Sequence, residues 1–152
     1  MNVTRYLVDN NALGMLGLGR RQAKFFRDHC RLPEDALYEA RFRSDYSTLQ
    51  DLVYPVTPSV LVRLRAVMST VAPSDVSLVD LYKNLGAADP LIIASALDAN
   101  ANEDSLFPDT WVIVSHDKAL LLKAGSLGIE CVSPERLAEH IDVADGELSS
   151  GA

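Results

Sequence analysis

Two apolar runs, Tyr6-Leu7-Val8 and Trp111-Val112-Ile113-Val114, each break off abruptly into polar residues, Asp9-Asn10-Asn11 and Ser115-His116-Asp117. Their β-branched and aromatic content predicts strands over 4–8 and 110–115. Between them the apolar spacing shifts to helical. Helices are predicted over about 11–18, 20–30 and 34–42, with Pro33 placed to open the third. Residues 31–33 form a connection or a brief strand, and 47–54 a helical turn or two stopped by Pro55 and Pro58. Val60, Leu61, Leu64, Val67, Met68 and Val71 trace an amphipathic helix over 60–71. Further helices are expected over 77–84, from Asp89-Pro90 to Leu97, over 118–124 with Gly125 as its stop, and over 134–141. A short strand is expected over 130–132, and the polar stretch 99–109 reads as a loop.

Strands separated by helices predict an α/β fold, a single three-layer domain with a mainly parallel central sheet flanked by helices. The domain is expected to occupy 1–141, followed by a small, acidic, flexible tail over 142–152.

With 152 residues, 48% hydrophobic and 23% charged, the chain has the composition of one ordinary globular domain. No apolar stretch approaches the ~18 residues of a membrane span, so no membrane association and a cytoplasmic location are expected. Cys30 and Cys131 have no metal-ligand spacing and read as small hydrophobes. The net charge of −7 argues against a nucleic-acid partner until its distribution is considered. Seven of the fourteen Lys and Arg fall between Arg20 and Arg43, whereas from Asp98 onward eleven acids face three bases. Arg20, Arg21, Lys24, Arg41 and Arg43 are therefore candidates for contacting a phosphodiester or a partner, or else they form a solvated helix face.

Four acids carry the chemistry that matters. Asp9 and Asp117 lie just past the carboxyl ends of the two main strands, the edge at which open α/β sheets bind ligands. Asp89 opens one helix and Glu39 lies within another. Taken singly, Asp9, Asp89 and Asp117 each suit a helix N-cap, worth about 0.5–2 kcal/mol, and Glu39 suits a solvated face. Capping explains each position but not a convergence of all four. Carboxylates gathered at one crevice repel one another and raise each other's pKa, an objection that Mg²⁺ or Mn²⁺ removes. His116 is not assigned a base role, because on extended backbone it points away from Asp117.

Leu7-Val8-Asp9-Asn10-Asn11, Glu39, Ala88-Asp89-Pro90-Leu91-Ile92-Ile93-Ala94 and Val114-Ser115-His116-Asp117-Lys118 together resemble the ordered acidic signatures of PIN-domain ribonucleases, over roughly residues 3–141. In size the chain resembles the VapC-like toxins of bacterial toxin–antitoxin pairs. The resemblance implies a Mg²⁺- or Mn²⁺-dependent endoribonuclease with Asp9, Glu39, Asp89 and Asp117 as catalytic, metal-binding acids. It implies supporting hydrogen bonds from Asn11 and Ser115, which could equally cap turns. It also implies an RNA substrate, a small antitoxin partner and a homodimer. Two other classes stay open: a silent interaction module whose acidic pocket receives a basic partner segment, and, ranked below it, another α/β phosphohydrolase with Asp9 as nucleophile.

Overall fold

Strand β1 (Thr4–Val8) occupies the middle of the molecule, because successive side chains of a strand point to opposite faces and here both faces are apolar. Tyr6 and Val8 enter one hydrophobic cluster and Leu7 the other. The computed structural model describes residues 3–70, 88–102, 106 and 108–150, with the side chains of 88, 89, 149 and 150 outside that set. The helix expected over 77–84 lies outside the described residues.

From β1 the chain forms α1 (Asn10–Leu16), α2 (Leu18–Arg21) and α3 (Lys24–His29), then β2 (Cys30–Pro33), α4 (Glu34–Glu39), α5 (Tyr46–Gln50) and β3 (Val53–Tyr54). After α6 (Pro58–Ser69) and α7 (Ala88–Ala101) come β4 (Thr110–Val114), α8 (Lys118–Ser126), β5 (Cys131–Val132) and α9 (Pro134–Ser150). The five strands form a parallel sheet in the order β3-β2-β1-β4-β5. β1 and β4 are paired along their whole length, from Thr4 opposite Thr110 to Val8 opposite Val114.

The two faces have separate cores. On one, Ala12, Leu13 and Leu16 of α1, Phe26 of α3 and Leu137 and Ile141 of α9 pack on Tyr6, Val8, Val112 and Val114. On the other, Val67 of α6, Ile92, Ile93 and Ala96 of α7 and Leu120 and Ala124 of α8 pack on Leu7, Trp111 and Ile113. The predicted three-layer α/β architecture with helices on both sides is thus observed. Leu13 and Leu16 are core, and Cys30 and Cys131 are both free thiols. Among the described residues no helix is long and apolar enough to cross a membrane.

Several boundaries differ from the sequence expectation. Gly17 takes φ 84°, a left-handed value open to glycine, and divides the helix expected to continue to Leu18. The helix expected over 20–30 is two short ones, and Cys30 already belongs to β2. Val53 and Tyr54, expected as the end of a helical turn, pair with Leu32 and Pro33 as β3. The loop expected from 99 begins later, since α7 continues to Ala101, where Asn100 brackets the Trp111 backbone, accepting from its N–H at 2.9 Å and donating to its carbonyl at 3.3 Å. Gly125 lies inside α8 rather than ending it. The last helix passes the expected stop at Ile141 and runs to Ser150, where a flexible tail was expected.

The buried Asp98 explains part of the longer α7. It accepts from the Tyr54 hydroxyl at 2.8 Å, from Asn102 at 3.0 Å and from the Ser59 hydroxyl, which ties α7 to β3 and α6.

Candidate metal centre

At the carboxyl edge, adjacent strands β1 and β4 send their helices to opposite faces of the sheet, α1 to one core and α8 to the other. This divergence opens a crevice at the switch point of the strand order. Asp9 and Ser115 are the first residues beyond the paired ends of β1 and β4, and the Asp9 N–H still reaches the Val114 carbonyl at 3.4 Å.

Asp9 is only 8% exposed. Its Oδ1 caps α1 by accepting from the Ala12 N–H at 2.7 Å. Burial raises its carboxyl above the ordinary value and the Asp117 charge adds to this, opposed by hydrogen bonds from Ser115 and Ala12. Asp117 caps α8 through Oδ1, which accepts from the Leu120 N–H at 3.0 Å. Ser115, itself buried, links the two acids: its Oγ accepts from the Asp117 N–H at 3.1 Å and its hydroxyl bonds the Asp9 carboxylate.

Glu39 closes α4, which follows β2, the neighbour of β1 on its other side. Burial pushes its carboxyl upward first, then the charges of Asp35 and Asp9, against a hydrogen bond from Asn10. Glu39 Oε1 is buried and has no hydrogen-bond partner among the described residues. Asp35, one helical turn before Glu39 on α4, is raised as well, by burial and by Glu34. Asn10 in turn receives Arg43, whose Nη2 donates to the Asn10 carbonyl at 3.1 Å and to its Oδ1 at 3.2 Å.

Asp9, Glu39 and Asp117 therefore meet electrostatically, through Asp9. Asp89 lies in the first turn of α7, and its side chain is outside the described residues. Because Asn100 at the far end of α7 grips the start of β4, that first turn points back toward the carboxyl edge. Asn11 is exposed, while its neighbour Asn10 lowers the Glu39 carboxyl by hydrogen bonding. Sequence reasoning also missed Asp35, although its four-residue spacing from Glu39 puts both on one helix face. His116 turns away to Glu135, 2.7 Å from Nε2 to Oε1, and Trp111 is buried against Tyr54.

The basic candidates separate into three groups. Arg21 is buried, with Nε and Nη2 on the Asp45 carboxylate at 2.9 and 3.1 Å and Nη1 on the Leu13 carbonyl at 2.9 Å. It is withdrawn from any surface ligand, contrary to its candidacy. Arg20 makes a forked pair with Asp142 of α9, and Lys24 pairs with Asp28. Arg43 reaches the crevice through Asn10, and Arg41 lies exposed over the rings of Tyr38 and Phe42.

Among the described residues no three of His, Cys, Asp and Glu stand close enough to enclose an ion. The donor chemistry nevertheless suits a hard divalent cation. The groups are carboxylates, burial first and then neighbouring acidic charge raise Asp9 and Glu39 above the usual range, and a buried Glu39 oxygen lacks a partner among the described residues. No family model and no curated protein matches the chain.

Proposed function

We propose that this protein is a Mg²⁺- or Mn²⁺-dependent endoribonuclease and, following the PIN-domain resemblance, the toxin of a toxin–antitoxin pair. The observation that supports the reading is the position of Asp9 and Ser115 just past the paired ends of β1 and β4, with Asp117 two residues further on and a buried Glu39 oxygen that has no hydrogen-bond partner among the described residues.

Asp9, Glu39 and Asp117, with Asp89 by resemblance, would hold the ion, which would stabilise charge on a phosphoryl oxygen. The chain's own contribution is positioning. Ser115 holds the Asp9 carboxylate and the Asp117 backbone in one hydrogen-bonded unit, so the two acids keep a fixed relation. Arg43 fixes Asn10, whose hydrogen bonding favours the charged form of Glu39. Burial of Asp9 keeps water from screening the site.

Wild-type protein incubated with mixed-sequence RNA and Mn²⁺ is expected to cleave it internally. Asp9→Asn retains a cap for α1, since Asn caps as well as Asp. That variant should keep its circular dichroism spectrum and lose about a hundredfold or more in rate, the scale of removing one electrostatic stabiliser. Undiminished cleavage by the folded variant would overturn the proposal.

A second reading rests on the same orphaned oxygen. The guanidinium of a basic partner segment would satisfy Glu39 as a cation does, and the fold would then serve as a binding module. The antitoxin, homodimer and cytoplasmic location stand with the first reading.

A further inference from the structure

Immediately beside Glu39 the surface changes character. Tyr38 is 64% exposed and Phe42 is 86% exposed, which is unusual for rings of this size. The Arg41 guanidinium carbon lies 3.9 Å from the Tyr38 ring centre and 4.5 Å from that of Phe42. Its Nη1 donates to the Tyr38 carbonyl at 2.8 Å, so the cation is tethered over the rings. The two exposed rings are flanked along the chain by the exposed polar residues Glu34 and Ser44, and by themselves offer a small apolar surface. That is too small for the centre of a typical protein interface, which spans roughly 800 Å² per partner. It matches the face of a single base, and aromatic rings with an adjacent cation are the usual platform for unpaired bases.

We propose that Tyr38, Arg41 and Phe42 form a stacking site for an unpaired nucleobase of a single-stranded RNA lying across the acidic crevice. The site rests on the ribonuclease reading, since it begins one residue from Glu39 and would hold the nucleotide flanking the bond to be cut. Arg41 serves twice, packing over the faces of both rings to brace them and offsetting phosphate charge where the crevice alone repels it.

The test is binding without turnover. Fluorescein-labelled oligoadenylate of roughly 12 nucleotides, within the usual single-strand site size, is titrated with the full chain in EDTA, beside an abasic ribose-phosphate oligomer of equal length. Phe42→Ala is expected to weaken oligoadenylate binding about tenfold, within the range for loss of one base–ring stack, and to leave the weaker abasic binding unchanged. Phe42→Trp should restore affinity, and its added fluorescence should be quenched by oligoadenylate but not by the abasic strand. Equal loss for both oligomers, or no loss for either, overturns the stacking site. A change only in self-association of Phe42→Ala, read by sedimentation, also overturns it and assigns the rings to a protein contact. Because the assay excludes hydrolysis, base-dependent binding by a chain that never cleaves RNA would sink the nuclease reading alone.

Discussion

At the scale of the residue, one carboxylate has two roles. Asp9 and Asp117 each cap the helix that follows, and each also faces another acid, so capping and clustering are properties of the same atoms. Glu39 has no cap to make and is the clearer probe. Its folded-state pKa is raised above 4.5, so the native state holds its proton longer than the unfolded chain does. Stability therefore falls as pH rises from 4.5 through the raised value, and stays lower above it. Glu39→Gln removes that loss. Because the side chain is partly exposed, screening limits the gain to about 1 kcal/mol, or roughly 2–4 °C in Tm at pH 7.5. The gain should vanish at pH 4, and thermal melts that show equal benefit at both pH values would contradict this origin. Asp9, Asp89 and Asp117 were legible as candidates because each follows or opens a recognisable element. Asp35 and Asn10 were not, because their relevance lies in meeting Glu39, a contact created by folding.

At the scale of the element, legibility followed length. β1 and β4 each bury most of five residues and announce themselves by composition, whereas β3 is two residues long and exists through its pairing with Leu32 and Pro33. The breaks within 10–30 are set by Gly17 and by tertiary anchoring, which a helical apolar spacing cannot register. Arg21 is the anchor. It joins α2 to Asp45 ahead of α5 and to the Leu13 carbonyl of α1, with side chains only 7% and 4% exposed across the ion pair. Arg21→Ala leaves Asp45 buried without its counter-ion and should cost about 3–5 kcal/mol. Asp45 is held below its ordinary pKa chiefly by the Arg21 hydrogen bonds, so the pair's contribution is present above pH 3.8 and is lost as pH falls through the depressed value. Urea unfolding at pH 7 measures the cost; a difference under 1 kcal/mol would mean the pair is replaceable by water.

At the scale of the whole molecule, the parallel sheet was legible from the alternation of strands and helices, while the strand order was not. That order makes β1 and β4 neighbours and hence brings Asp9 to Ser115 and Asp117. It also supplies the test that separates a metal centre from a binding module. Mn²⁺ at a hundred times its dissociation constant should stabilise the protein by about 2.7 kcal/mol if it binds only the folded state. The corresponding rise in Tm should shrink in Asp9→Asn. No rise at millimolar Mn²⁺ would favour the basic-segment reading. The same strand order governs how the chain matures during synthesis. The central strand emerges first, yet its full-length partner lies more than a hundred residues later, with Val3 and Asp109 bonded across a separation of 106. A growing chain thus carries β1 with one edge open until β4 has been made, and Asp9 meets Asp117 only after all the residues between them have been added. A product that stops short of β4 carries Asp9 and Glu39 but neither Asp117 nor the crevice, so any activity of that crevice switches on with completion of the sheet.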